Sequence, residues 1–429
     1  MTTIGDVHKA YKKTLHIENT HLIDVPLATY IDKDSEGDRL FLIGKGSSGC
    51  GKTILTEPLR NLSFNPLVVT SDKEKANRKY HVHFISRLTP AVFARGNAQD
   101  FLKDLGYHLQ NKASFLIYSD LAPLMSMNEE TKRELYGMFR DLFDGFIKYD
   151  TGSFPKHYKN IKVNSMGFAT DMIESQLDFA QMMGTREIIY ELPEIRDTDK
   201  AMRKRDTPEG REARSNVLKD FLDDIGKVEN NSWIYDDTIK IPESEASQQH
   251  LKCIEFFAKD ACIDRTPAQV DEHGLLIKHI KTEFPMRLNN QLSRLYSALL
   301  ALGVKPVSAF QHIRQIANTC GNSIRKEIID RLWKEEFIEG EYKEEVEYDS
   351  EGRELDVVPK VTYPEVKKIP LSKNSNQLGY ELNIAPREIL KHLMILRDMG
   401  KVEIIVDKKT DDWSKNIFLE TTQWMWKKS

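Results

Sequence analysis

Gly46-Ser47-Ser48-Gly49-Cys50-Gly51-Lys52-Thr53 sets glycines, a lysine and a hydroxyl at fixed spacing, directly after the apolar run Leu40-Phe41-Leu42-Ile43. This is the pattern G-x-x-x-x-G-K-[ST]. Its glycines let the backbone amides face the α- and β-phosphates, Lys52 can reach the β- and γ-phosphates, and the Thr53 hydroxyl can ligate magnesium. Apolar residues at helical spacing from Ile54 to Leu62 would put those phosphates at a helix N-terminus. Strand, loop and helix in this order predict a site for ATP with Mg2+, cradled by residues 46 to 53.

A phosphoryl-transfer site of this kind also needs a carboxylate to hold the metal, and Asp120 ends the apolar run Phe115-Leu116-Ile117-Tyr118-Ser119. The glutamate that often follows such an acid and polarises the attacking water is absent, because position 121 is Leu121. Asp72 and Glu57 are weak substitutes. Thr170, at the end of Phe168-Ala169, could offer its hydroxyl to the γ-phosphate or be an ordinary strand end. Arg186, in Gly184-Thr185-Arg186-Glu187, could stabilise transition-state charge on a neighbouring subunit's nucleotide. A surface salt bridge is the competing account. Arg287 and Arg294, on a later amphipathic stretch, could reach the phosphates from above or could simply be solvated.

The elements that must carry these residues alternate. Strand-like runs at Leu40 to Ile43, Leu67 to Thr70, Phe115 to Asp120, Ile161 to Thr170 and Glu187 to Leu192 are separated by helical stretches, among them Glu129 to Phe146 and Asp171 to Met183. Alternation implies an α/β fold with a mainly parallel sheet. Residues 1–37 read as an N-terminal helical segment with a helix within Ile17 to Ile31, 38–196 as the nucleotide-binding core, and 197–305 as a charged helical lid. Residues 306–372 and 373–429 each read as helix, turn, helix and hairpin, the winged-helix arrangement.

The 429 residues are 40% hydrophobic and 30% charged with a net charge of −4, so a chain that coats nucleic acid over its whole surface is excluded while local basic faces are not. No apolar run approaches a membrane span, there is no signal-like N-terminus, and the four cysteines lack metal-binding spacing, which together predict a cytoplasmic protein with reduced thiols. Residues 146 to 159 mix basic and aromatic side chains around a turn. Such a hairpin could grip single-stranded DNA through Lys148, Lys156 or Lys159, or be a plain surface hairpin. The first C-terminal wing, Glu341 to Asp349, is acidic; the second unit offers Arg387, Lys391, Lys408, Lys409 and Lys415 and is the expected DNA-binding one. His81 and His83 read as packed or solvated rather than metal-bound, and Trp424 and Trp426 as part of a terminal strand.

The order of Leu22-Ile23-Asp24-Val25-Pro26-Leu27-Ala28, the phosphate loop, Ser86-Arg87-Leu88-Thr89-Pro90, Tyr118-Ser119-Asp120, Asp144-Gly145 and Gly184-Thr185-Arg186 resembles the AAA+ ATPase modules of phage and mobile-element replication proteins, related to minichromosome-maintenance helicases. The resemblance spans approximately residues 20 to 305. It implies Asp120 as the Walker B acid, Thr170 as first sensor, Arg186 as arginine finger and Arg287 as second sensor, in a homo-oligomeric, hexameric ring. It further implies a DNA helicase or translocase, with an ATP-gated loader or replication regulator as the alternative. Leu121 and the absence of a separate N-terminal DNA-binding tier depart from the pattern.

Overall fold

A computed structural model describes residues 2–47, 52–62, 80–85, 89–93, 104–118, 120–121, 123, 126–149, 155–170, 186–193, 206–225, 227–229, 232–234, 245–264, 268–270, 276–279, 284–320, 325, 327–328, 331, 333–337, 342–345, 358–361, 366–370, 372–373, 375–386, 389–390, 392–393, 396, 402–405 and 423–426. The expected strand at Leu67 to Thr70 and helix at Asp171 to Met183 lie outside the described residues. The chain divides into two compact units, the first Met1–Pro267 with Ile280–Asn322 and the second Ala268–His279 with Ser323–Ser429.

The first unit runs α1 (Ile4–Thr14), α2 (His21–Ile31), β1 (Phe41–Lys45), α3 (Lys52–Asn61), β2 (Val82–Ile85), α4 (Pro90–Phe93), α5 (Leu105–Leu109), β3 (Ala113–Tyr118) and α6 (Glu129–Phe143). It continues with β4 (Ile147–Tyr149), β5 (Lys156–Tyr158), β6 (Lys162–Ala169), β7 (Glu187–Glu191), α7 (Pro208–Ile225), β8 (Lys227–Glu229), β9 (Ser232–Ile234), α8 (Glu245–Asp264), α9 (Met286–Ala301) and α10 (Pro306–Thr319). Five strands form one sheet in the order β2-β3-β6-β1-β7, and every pairing in it is parallel. The fold is therefore α/β, compatible with a P-loop nucleotide-binding architecture.

Strand residues alternate between two apolar cores, as the two-residue period of a pleated strand requires. Leu42, Phe115, Ile117, Met166, Phe168, Ile188 and Tyr190 pack into the core shared with α1, α2 and α7 to α10. Phe41, Leu116, Tyr118, Val163 and Ala169 face the other way, onto Leu135, Phe139 and Leu142 of α6. Both faces being covered, the strands read as continuous apolar runs.

Helix α1 falls within the expected N-terminal helical segment, ahead of the helix read within Ile17 to Ile31. Its start is a capping box in which the Thr3 hydroxyl accepts from the Asp6 amide and the Asp6 carboxylate accepts from the Thr3 amide, and Ile4, Val7 and Tyr11 form its buried stripe. The boundary expected at residue 306 differs. Helix α10 belongs to the first unit: Thr319 Oγ1 accepts from the Glu191 amide at 3.0 Å, and His312 Nε2 pairs with Asp24 at 3.1 Å.

The second unit contains a three-stranded antiparallel sheet in which Gln423–Trp426 lies between Ser372–Lys373 and Val402–Ile405. Trp424 and Trp426 are thus on a terminal strand. A helix at Ser375–Leu382 and the apolar cluster Ile328, Leu378, Ile389, Leu393 and Leu396 accompany it, and Trp333–Phe337 pairs with Val366–Pro370 while Tyr342–Glu345 pairs with Val358–Val361. The strand expected at Asn416 to Leu419 lies outside the described residues. Among the described residues no helix is long and apolar enough to cross a membrane.

Candidate functional site

The carboxyl edge of the sheet gathers the residues that could handle a phosphate. Strand β1 pairs with β6 so that Lys45 lies opposite Ala169, and the Gly46 amide extends the pairing by donating to the Ala169 carbonyl at 3.1 Å. On the other side of β6, Tyr118 is opposite Gly167, and the Leu121 amide donates to the Phe168 carbonyl at 2.9 Å. Asp120 is therefore level with the end of β6, one strand away from the end of β1 on its far side. Thr170 follows Ala169 directly, so Asp120, Thr170, Gly46 and Lys52 lie toward one edge of the sheet.

Lys52 opens α3 and turns its ammonium back on the loop. It donates to the carbonyls of Gly46 at 2.6 Å, Ser47 at 3.2 Å and Ala169 at 3.2 Å. The cation thus sits where the ends of β1 and β6 meet, held by neutral acceptors alone in these three bonds, and an anionic oxygen arriving there would be the stronger partner. Lys45, next to the loop, is buried and pairs with Glu191 of β7 at 3.0 Å. Gly44 is required by packing, since a Cβ there would lie 2.6 Å from Leu192 Cδ2. Ser48, Gly49, Cys50 and Gly51 lie outside the described residues; for Thr53 the helical backbone is described but not the side chain.

Leu121 is buried in the α6-side core, and its Cδ1 would be 3.1 Å from a Cβ placed on Gly167. An acid at this position would face that core. Of its weak substitutes, Glu57 lies 3.6 Å from Arg211 on α7, and Asp72 is outside the described residues.

The arginines occupy the opposite edge. Arg186 enters β7, whose Glu187 is level with Phe41 at the start of β1, so the five residues of β1 separate it from the loop. At the usual rise of a parallel strand that is roughly 13 Å. Its guanidinium is 3.3 Å from the Asp144 carboxylate and 5.6 Å from the Phe143 ring centre, so the salt-bridge alternative is present in the isolated chain. Helix α9 lies along this same edge: Gln291 Nε2 donates to the carbonyls of Arg39 and Arg186, and Asn290 donates to Asp38. Arg294 makes two bonds to the Asp32 carboxylate, at 2.7 and 3.3 Å, and a third to the Asp38 carbonyl. Asn164 of β6 donates to the same carboxylate at 2.9 Å. The expectation that Arg294 reaches phosphates is corrected: it clamps α9 to the amino edge. Arg287 is half-buried one turn before Gln291 on the same helix.

The hairpin expected before β6 is formed by β4 and β5, with Lys148 opposite His157. Its two faces differ. Lys148, His157 and Lys159 are exposed, whereas Lys156 and Tyr158 are buried and meet Asp104 at the start of α5, at 2.6 and 2.7 Å. Lys156 is therefore not a phosphate contact, since its charge is satisfied inside the protein. Burial pushes the Tyr158 hydroxyl well above its ordinary range, with the Asp104 carboxylate adding to the effect. His157 was passed over in the sequence, although strand alternation from Lys148 could have found it.

Arg387, Lys391, Lys408, Lys409 and Lys415 lie outside the described residues. Among the described residues no group of histidine, cysteine and acidic side chains could hold a metal ion, and burial lowers His83 to about 3 and His81 to about 4, as expected for packed histidines. Cys253, Cys262 and Cys320 are free thiols. No protein-family model and no curated protein sequence matches the chain.

Proposed function

We propose that the chain is a DNA-dependent ATPase of the AAA+ class that assembles as a ring, a hexamer by resemblance, and works as a replicative helicase or translocase of a phage or mobile element. The observation that carries the reading is the division of its charged groups between the two edges of the parallel sheet. Lys52, Asp120 and Thr170 lie toward the carboxyl edge, whereas Arg186 enters the sheet at the amino edge, the length of β1 away from the loop. A site divided in this way needs a second copy, whose amino edge would meet the first copy's loop. The strand order, with β6 between the loop strand and the acid strand, supports the same class.

ATP with Mg2+ fits the residues present. The carbonyl-held Lys52 ammonium would exchange its neutral acceptors for phosphate oxygens, and Thr53 with Asp120 would hold the metal, which neutralises charge on the β- and γ-phosphates when bound. Thr170 would orient the γ-phosphate end. Arg186 of a neighbour would leave Asp144 to stabilise the developing charge, an exchange of one anion for another with little net cost. Lys148, His157 and Lys159 on the exposed hairpin face would meet single-stranded DNA, and the basic second C-terminal unit would meet duplex or fork.

The second reading is an ATP-gated loader or replication regulator that binds DNA without unwinding it. Burial of Leu121 favours it, because the residue that follows Asp120 is an apolar core side chain and not an acid. Forked-DNA unwinding and DNA-stimulated ATP turnover decide between the two. The motor reading expects both, abolished by Lys52→Ala; strand separation that survives Lys52→Ala overturns it. Nucleotide-dependent assembly with negligible unwinding selects the loader.

A further inference from the structure

We infer that Gln291 is a positioning residue for Arg186, bonding the peptide of that arginine to α9, an inference that rests on the role proposed above for Arg186 at a neighbour's nucleotide. Gln291 is 2% exposed, and its single amide nitrogen donates to the Arg39 carbonyl at 2.9 Å and the Arg186 carbonyl at 3.0 Å. One carbonyl leads toward β1 and the other into β7, adjacent strands of the sheet, so one side chain ties the helix to both. Arg287 precedes Gln291 by four positions on α9 and so projects from the same side of the helix, one turn away. The helix carrying one arginine is thereby bonded to the peptide that carries the other.

The surrounding bonds fix the register of this contact. Asn290 donates to the Asp38 carboxylate at 3.1 Å and Arg294 grips Asp32, so α9 can neither slide nor roll without breaking an ion pair. The Arg186 side chain is itself held by Asp144 and Phe143. Its backbone is set before a ligand arrives, which lowers the cost of meeting a polyphosphate, and only the guanidinium's bond to Asp144 has to be exchanged. A glutamine suits the task because its neutral NH2 offers two donors to two carbonyls, whereas a carboxylate would repel both. The ligand class is the triphosphate of a nucleotide held by a second copy of this chain, to which the Arg186 guanidinium is presented.

The test uses Gln291→Met, close in length and shape but without a donor, in the full-length chain alongside Arg186→Ala and the double variant. Steady-state ATP turnover, nucleotide binding by fluorescence anisotropy and thermal melting are measured for each. The expected result is a kcat reduced about tenfold or more, in line with a small misplacement of a reacting group, with KM for ATP and nucleotide affinity within about twofold of the parent. The double variant should be no slower than Arg186→Ala. A Gln291→Met enzyme with parental kcat, beside a slow Arg186→Ala, overturns the inference and leaves the subunit-bridging reading intact. Losses that multiply in the double variant also overturn it, because Gln291 would then act independently of Arg186. Full turnover by Arg186→Ala removes both the bridging role and the inference built on it.

Discussion

The two edges of the central sheet are built on opposite plans. At the carboxyl edge Lys52 is held by three backbone carbonyls and Asp120 is exposed. At the amino edge Asp32 is met by Arg294 and Asn164, Arg39 donates to the carbonyls of Lys33 and Ser35, and Gln291 spans two strands. One edge keeps its charges in bonds that an anion can replace, and the other spends its charges on fixing a helix. The difference teaches that a basic residue's role depends on what already occupies it: Lys52 is available to a ligand and Arg294 is not, although both are cations near a strand end.

Each edge can be broken separately. Lys52→Ala should lower ATP turnover by roughly 100-fold or more, the scale of losing a transition-state charge donor, while leaving the melting temperature near the parent's. A parental rate in a coupled ATPase assay would end the assignment of the carboxyl edge. Arg294→Ala should do the reverse. It strands the largely buried Asp32 carboxylate and should cost about 3 kcal/mol or more in urea unfolding, with the loop's nucleotide affinity little changed in whatever remains folded.

Leu121→Glu sharpens the account of the carboxyl edge itself. The new carboxylate would enter the α6-side core, so the expected outcome is a loss of about 2–3 kcal/mol with no faster hydrolysis. A several-fold gain in kcat would mean that position 121 faces the nucleotide after all. Asp104→Asn asks whether the hairpin has the same two-sided plan as the sheet. It keeps an acceptor for Tyr158 but leaves the buried Lys156 without its carboxylate, an expected cost of about 2 kcal/mol together with weaker single-strand DNA binding in a salt titration. Unchanged stability would show that Lys156 is not a structural residue.

The smallest effect concerns packing that both edges share. His21 of α2 is buried against Tyr190 and His312, and burial, reinforced by the His312 charge and opposed by Asp24, lowers it to about 3. In the unfolded chain the same imidazole titrates near its model-peptide value of about 6.5, so the unfolded state takes up the proton first. The contribution is complete above about pH 6.5 and is lost as pH falls toward 3, at about 1.4 kcal/mol per pH unit. His21→Phe should flatten the fall in urea midpoint between pH 6.5 and 5 by that slope; an unaltered slope would show that His21 is not held neutral.

Much of the sheet was legible because its strands are buried on both faces. β1, β3, β6 and β7 appear as apolar runs, and the loop motif and Asp120 mark their ligand-facing ends. β2 was legible only through His81 and His83, read as sharing a strand face, because the buried His83 interrupts the apolar run Val82-His83-Phe84-Ile85. The hairpin was legible as a turn between basic segments, but the burial of Lys156 depends on Asp104, 52 positions away, which no local pattern reveals. Helix α10 has a clear apolar stripe, yet periodicity does not say which neighbour the stripe meets, and its bonds to Glu191 and Asp24 assign it to the first unit. The roles of Arg287 and Arg294 were confused for a similar reason. Their spacing gives a helix, and only the partners of each guanidinium distinguish a clamp from a presented charge.

The Asp24 carboxylate joins the beginning and end of the first unit, accepting from His8 at 2.5 Å and from His312 at 3.1 Å across 288 positions. On a ribosome the first of these partners emerges long before the last. At ordinary elongation rates the interval is roughly 15–60 s, during which the buried Asp24 can hold its first partner but not its second. Closing so long a loop also carries an entropic cost that only the completed core repays. A chain truncated before α10 would retain the whole phosphate loop and still lack the helix that finishes the domain around it.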